Sequence, residues 1–166
     1  MERILIIGCG GAGKSTLARK LGEKLGLPVV HLDRLFWHPG WVESSKEEID
    51  ARIIEELEKP RWIIDGNYSR TLAMRMEKCD TVIYLDFSRT ACLWGVVKRV
   101  VTNYGKVRPD MGEGCPERFD LNFVKWIWGF NKKNRQKYYR MLNEAEGVET
   151  VVLKNRRMVR RFLESL

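Results

Sequence analysis

Apolar residues along this chain fall into short unbroken runs, separated by longer stretches in which they recur every third or fourth position. Ile4-Leu5-Ile6-Ile7 is the first run, β-branched and without an interleaved polar residue, as a parallel strand buried on both faces requires. Leu17, Leu21 and Leu25 then repeat at helical spacing, and Gly26 followed by Pro28 marks the end of that helix. Val29-Val30-His31-Leu32 predicts a second strand, and residues 45–58 predict a helix with Ile49, Ile53, Ile54 and Leu57 on its apolar face. Trp62-Ile63-Ile64 predicts a third strand and residues from about Ser69 to Lys78 a helix. A fourth strand over Thr81–Leu85 precedes a helix from about Thr90 to Asn103. A Gly/Pro-rich segment, Gly105 to Arg118, leads into a long aromatic and basic helical stretch reaching about Asn143. Thr150-Val151-Val152-Leu153 is the last predicted strand, and residues 156–165 close the chain as a helix. Strands alternating with helices predict an α/β doubly wound fold with a five-stranded parallel sheet. In such sheets ligands bind at the carboxyl ends of the strands.

At 166 residues the chain is expected to form one domain, without internal repeats or low-complexity linkers. No apolar run approaches membrane-spanning length. The apolar stretch at the N-terminus is short and runs straight into a glycine loop, so no signal peptide is expected. Cys9, Cys79, Cys92 and Cys115 show no C-x-x-C spacing and have only His31 and His38 as companions, which argues against structural zinc. Reduced thiols and a cytoplasmic location are the expectation. The net charge of +8, from 30 Lys plus Arg against 22 acids, suits nucleic acid or a polyphosphate ligand and does not choose between them.

The chemistry lies first in the loop between the opening strand and helix. Gly8-Cys9-Gly10-Gly11-Ala12-Gly13-Lys14-Ser15 satisfies G-x-x-x-x-G-K-[ST], the phosphate-binding loop, in the strand–loop–helix context that the motif needs. Its glycines let backbone N–H groups curl around a phosphate, toward which the positive end of the helix dipole points. This predicts ATP held by Gly8, Gly10, Gly11, Ala12, Gly13, Lys14, Ser15 and Thr16, with Lys14 on the β- and γ-phosphates and Ser15 ligating Mg²⁺.

Three strands end in a carboxylate: Asp33, Asp65 and Asp86. Such residues either cap the following element or serve the site. Asp33 and Asp65 are expected beside the loop, where Mg²⁺ and its waters need oxygen ligands. For Asp86 both readings stand, since Ser88 can cap the next helix. Trp37 and Trp41, near Pro39-Gly40, either stack on an acceptor or pack against the 45–58 helix. His31 is expected to be a strand residue with a satisfied hydrogen bond, and His38 a loop residue. Trp126, Trp128, Phe130, Tyr138 and Tyr139 are expected in core or hinge packing.

The segment Trp62-Ile63-Ile64-Asp65-Gly66-Asn67-Tyr68-Ser69-Arg70-Thr71-Leu72 resembles the strand-Asp-Gly-Phe-Pro-Arg segment of adenylate kinases, with one extra residue between Gly66 and Arg70. His31-Leu32-Asp33, Phe36-Trp37-His38-Pro39-Gly40-Trp41, Asp65-Gly66-Asn67-Tyr68 and Arg108-Pro109-Asp110-Met111-Gly112-Glu113-Gly114-Cys115-Pro116 resemble signatures of the small adenylate-kinase-like DNA topology modulation proteins, over nearly the whole chain. The resemblance implies a kinase-like fold and ATP binding. It also implies that Asp65 organises Mg²⁺-bound water, that Arg70 touches an acceptor phosphate, and that a basic residue of the helix after the insert, Arg135 first and Arg140 second, reaches the site. By similarity to kinases of this fold, Asn155 and Arg156 would border the adenine pocket. Arg108-Pro109 also resembles a lid arginine of shikimate kinases.

The insert at 104–119 fits a lid carrying Lys106, Arg108 and Arg118, against the alternative of a surface loop. The acceptor-binding segment is expected at about 33–60. Together these readings predict an ATP-dependent phosphotransferase acting on a small molecule or nucleotide, with Arg108, Arg118 and Arg135 stabilising the transferred group. A hydroxyl acceptor would use Asp33 as base, and a phosphate acceptor would use Arg70. The alternatives are a nucleotide-regulated DNA-binding protein using the basic 132–140 and 154–161 stretches, and an ATPase switch without acceptor.

Overall fold

The computed structural model describes residues 1–166. Its centre is β1 (Arg3–Gly8), whose residues Ile4 to Ile7 are wholly buried because helices cover both faces of the sheet. After the glycine loop comes α1 (Lys14–Leu25), which buries Leu17, Ala18 and Leu21 and stops at Gly26 in the left-handed conformation. β2 (Val29–His31) ends one residue before the predicted boundary, because Leu32 already opens a short helix, α2 (Leu32–Phe36). The next turn is a small antiparallel hairpin that the hydrophobic pattern did not announce, β3 (Trp37–His38) and β4 (Val42–Glu43). His38 is therefore a hairpin-strand residue rather than a loop residue, with its Nε2 3.1 Å from a Glu48 carboxylate oxygen.

α3 (Lys46–Leu57) is capped by the Ser45 side chain and buries Ile49, Ile53 and Leu57. β5 (Trp62–Asp65) is fully buried. A 3₁₀ turn over Ser69–Thr71 leads into α4 (Leu72–Lys78), so the predicted helix from Ser69 is α-helical only from Leu72. β6 (Thr81–Leu85) and α5 (Arg89–Asn103) follow, the latter capped by Ser88. Asp86 is thus left free of capping duty. α6 (Leu121–Glu144), β7 (Glu149–Leu153) and α7 (Arg156–Glu164) complete the chain, and no helix is long and apolar enough to cross a membrane.

The five main strands run in the order β2-β5-β1-β6-β7, every pairing parallel, which is the α/β doubly wound sheet expected from the sequence. β1 lies between β5 and β6, so the loop after it opens where the chain changes direction across the sheet. Asp80 ties the first strand down: its Oδ2 accepts from the backbone N–H groups of Glu2 and Arg3 at 2.8 and 2.9 Å.

Candidate functional site

The glycine loop is pressed backbone to backbone against α5. A Cβ on Gly11 would lie 2.1 Å from the Cys92 carbonyl oxygen, and one on Gly95 would lie 2.1 Å from the Gly11 carbonyl oxygen. Only glycine at both positions permits this approach. Asn67 fixes the loop from the other side, accepting from Gly8 N–H at 3.0 Å and donating to the Gly8 carbonyl at 2.7 Å. Lys14 Nζ donates to the carbonyls of Gly8 and Cys9 at 2.9 and 3.1 Å, folding the ammonium back over the loop. Cys9 is buried beside Cys92; their mutual hydrogen bond and burial raise the Cys9 thiol, which keeps it protonated and unreactive.

Ser15 Oγ donates to Asp65 Oδ2 at 2.8 Å, and the other Asp65 oxygen bonds His31 Nδ1. A hydroxyl and a carboxylate oxygen converging beside a phosphate loop are hard oxygen donors of the kind Mg²⁺ takes, so these residues fit the metal that the fold family implies. The loop between β5 and α4 that carries Gly66 and Asn67 is stapled by Arg75. This guanidinium is wholly buried and donates to the carbonyls of Gly66, Asn67 and Tyr68 and to the Thr71 hydroxyl. Burial pushes it down to about 10, still charged at neutral pH.

A single cavity of about 1120 Å³ extends from this loop toward the hairpin. Gly10, Gly11, Gly13, Lys14, Ser15, Thr16 and Arg156 line its loop end. Asp33, Trp37, Trp41 and Asp65 line the region toward the hairpin, with Arg108 and Arg118 entering from the segment between α5 and α6. Asp33 faces open cavity space, yet the surrounding protein strips enough solvent to raise its carboxyl above the ordinary range. The Lys14 ammonium opposes that rise and the Asp65 carboxylate adds to it. Trp37 and Trp41 meet edge to face at 5.4 Å, and the Arg118 guanidinium sits 4.8 Å over the Trp41 ring. No residue of α3 lines the cavity; within the 33–60 stretch its wall is made by Asp33, Phe36, Trp37, Trp41 and Glu43.

The segment between α5 and α6 docks on the hairpin. Gly40 N–H donates to the Gly114 carbonyl at 3.0 Å, and the Cys115 thiol donates to the His38 carbonyl at 3.1 Å. Gly112 packs so tightly on Trp37 that a Cβ would lie 2.0 Å from its carbonyl oxygen. Inside the segment, Glu117 is buried between two guanidinium groups: Arg99 Nε lies 3.0 Å from Oε2 and Arg108 Nε 2.7 Å from the same oxygen. Arg108 also pairs with buried Asp110 at 2.6 Å.

Several expected site residues lie elsewhere. Arg70 is not in the cavity wall: its guanidinium pairs with Asp50 on the surface, at 2.6 Å. Arg135 pairs with Asp86 at 2.8 Å and points away, while Asn134 and Tyr138 of the same helix line the cavity. Asn155 caps α7 through a hydrogen bond from Met158 N–H at 3.0 Å and stays outside the lining. Arg140 borders a separate groove beside α4. Gly8 and Ala12 support the loop from below rather than facing the cavity. Trp126 lines the cavity, stacked on Phe123 at 5.6 Å, and Trp128 is exposed under Arg89 rather than packed in the core. Arg99, Glu117, Asp110 and Asn67 are among the cavity residues whose roles the sequence did not single out.

A family model described as an AAA domain matches residues 4–94, more than half of the chain. The chain belongs to the AAA domain family. In this AAA domain the match covers the glycine loop, both carboxylates Asp33 and Asp65, and the start of α5. The fold is similar to that of shikimate kinase from Bacteroides thetaiotaomicron, with a TM-score of 0.60 and 17% identity, over 99% of this chain and 95% of that one. It is equally similar to shikimate kinase from Acinetobacter baumannii, solved in complex with shikimate, with a TM-score of 0.60 and 18% identity, over 99% of this chain and 90% of that one. No curated protein matches the chain. The AAA domain accordingly has a phosphate-loop α/β fold with the shikimate-kinase type of five-stranded parallel sheet.

Proposed function

We propose that this chain is an ATP-dependent phosphotransferase acting on a small molecule. One observation carries the reading: the phosphate loop with Lys14 and the carboxylate of Asp33 open into the same cavity, with arginines entering from a neighbouring segment. Phosphoryl transfer needs little else than two positioned reactants, cations around the migrating group and exclusion of water. In this reading the loop backbone and Lys14 hold the triphosphate of ATP, and Arg156 lies toward its base. Ser15 and Asp65 hold Mg²⁺, which when bound would neutralise charge on the phosphates. Asp33, Trp37 and Trp41 receive the acceptor. Residues 104–119 act as the lid, and Arg108 and Arg118 bring positive charge to the transferred group. The likeness of the Trp-rich and Arg-Pro-Asp-Met segments to DNA topology modulation proteins supports ATP binding.

The test is ADP formation from Mg-ATP across a panel of nucleosides, nucleoside monophosphates and small hydroxy compounds, with Lys14→Ala as blank. Lys14-dependent turnover with one acceptor class supports the reading, and failure to bind Mg-ATP overturns it. Exposed Arg157, Arg160 and Arg161 on α7 favour a second reading, DNA binding regulated by nucleotide. It requires a steep loss of DNA affinity with salt and its abolition by charge reversal on α7.

A further inference from the structure

α5 is apolar on the side that faces solvent as well as on the side that faces the sheet. Cys92 and Val96 are buried beneath it, as in any helix that covers a sheet. Trp94, Val97 and Val101, with Tyr104 at the C-cap, recur at intervals of three and four residues along the outer stripe. They are 66%, 47%, 76% and 69% exposed. A lone exposed apolar residue is ordinary, but a stripe of four is a patch. None of the four lines the cavity, so the patch lies outside the site described above. α6 packs alongside, with Arg89 4.6 Å over the Trp128 ring and Arg99 5.4 Å over the Phe123 ring. It adds Leu121 and Trp128, 62% and 55% exposed and seven residues apart on one helical face.

The charge on these two helices has one sign. No Asp or Glu occurs between Asp86 and Asp110, which spans α5, or between Asp120 and Glu144, which spans α6 up to its last residue. Of the acids in the intervening segment, Asp110 and Glu117 are buried against Arg108 and Asp120 caps α6, so Glu113 alone is exposed. Arg89, Lys98, Lys106, Lys125 and Lys132 are exposed and enter no ion pair. On α6 the two kinds of side chain alternate: Leu121, Lys125, Trp128 and Lys132 follow one another at helical spacing along the same face.

Exposed aliphatic and indole side chains among unpaired cations, with no carboxylate between them, are the set that seats on an anionic lipid surface. We propose that the outer face of α5 and α6 is a docking surface for an anionic membrane. Val97, Val101 and Leu121 enter the boundary of the acyl chains, and the indoles of Trp94 and Trp128 lie at headgroup level. Lys98, Lys125 and Lys132 lay their stems along the apolar patch and carry their ammonium groups to the lipid phosphates. The chain then lies on the bilayer without crossing it, since no helix is long and apolar enough to span one. A second copy of the chain fits this face less well. A twofold interface would set these cations against their own images with no carboxylate between them. Nucleic acid would meet the cations but gain nothing from Val97, Val101 and Leu121, and the Trp128 ring is already covered by Arg89. The inference does not depend on the phosphotransferase reading.

The experiment sediments the full chain with vesicles of phosphatidylcholine, alone or with about one third phosphatidylglycerol. The expected result is binding to the mixed vesicles at least about tenfold tighter than to phosphatidylcholine, with a blue shift of tryptophan emission. Trp94→Ser combined with Val101→Ser is expected to lower vesicle affinity about tenfold or more and to shrink that shift, with melting temperature unchanged. Lys125→Glu combined with Lys132→Glu, which leaves the apolar stripe intact, is expected to remove the preference for the mixed vesicles. Absence of binding to the mixed vesicles would overturn the proposal. So would full binding by both variants, above all if charge reversal at Arg157, Arg160 and Arg161 abolished it, which would move the contact to α7. A single-stranded oligonucleotide that binds more tightly than the vesicles, and whose binding the Trp94→Ser and Val101→Ser changes weaken, would assign the face to nucleic acid instead. A dimer in sedimentation equilibrium that the same changes dissociate would assign it to a second copy.

Discussion

Ser15 and Asp65 are joined by a 2.8 Å hydrogen bond that links the first residues of α1 to the carboxyl end of β5. The bond brings a hydroxyl and a buried carboxylate to one point, and His31 fixes the second carboxylate oxygen. Asp65→Asn keeps the shape and removes the charge. It is expected to weaken Mg²⁺ dependence about 10- to 100-fold, read as the Mg²⁺ concentration giving half-maximal ATP turnover. An unchanged Mg²⁺ requirement would take Asp65 out of the metal site.

Lys14 makes its contacts only to loop carbonyls, so its removal should spare the fold. Lys14→Ala is expected to lower kcat/KM for ATP by at least about 100-fold with melting temperature nearly unchanged. Retained turnover would refute the phosphate-loop assignment.

Asp33 supplies a pH signature. Its carboxyl is raised in the folded chain by loss of solvent. The folded state therefore holds this proton to higher pH than the unfolded chain does, and stability falls as pH rises from the ordinary aspartate range through the raised value. Turnover should rise over the same interval as the base ionises. Asp33→Asn is expected to abolish that acid limb of the rate profile and to raise the melting temperature at neutral pH. A limb that survives in the variant belongs to another group.

Glu117 is buried between Arg99 and Arg108. Glu117→Gln leaves both guanidinium groups facing a neutral side chain and is expected to cost about 3–5 kcal/mol. That corresponds to a drop of roughly 10 °C in melting temperature for a domain of this size. A melting temperature within a degree of the parent would show that the cluster contributes nothing net.

Arg135 distinguishes a site residue from a surface one. It pairs with buried Asp86, which keeps a second hydrogen bond from the Tyr139 hydroxyl at 2.8 Å. Arg135→Ala is expected to reduce stability by about 1 kcal/mol and to leave kcat within about twofold. A large loss of kcat would return Arg135 to the site.

The sequence reading of the fold succeeded where one residue type repeats at one period, as in β1, β6 and α5. It failed where the elements are too short to have a period. The two-residue strands of the 37–43 hairpin exist because the turn brings Trp37 opposite Glu43, a relation invisible along the chain. The glycine loop was legible because its motif is contiguous. The residues that surround it were not, because they meet across the fold: Asn67 reaches Gly8 over 59 positions, and Glu117 reaches Arg99 over 18. The basic cluster on α6 shows the limit of composition most plainly. One residue of helix is a rotation of about 100°, enough to turn Arg135 outward while Asn134 lines the cavity.

The bonds between the 104–119 segment and the hairpin have a dynamic consequence. Gly40 with Gly114, and Cys115 with His38, fasten two chain segments that lie far apart in sequence. Two flaps with independent hinges would admit donor and acceptor at separate rates. On the proposed reading, a lid fastened in this way would carry the hairpin with it, so that both substrates and both products would pass at a single opening frequency. Slowing that joint motion would slow every exchange step together.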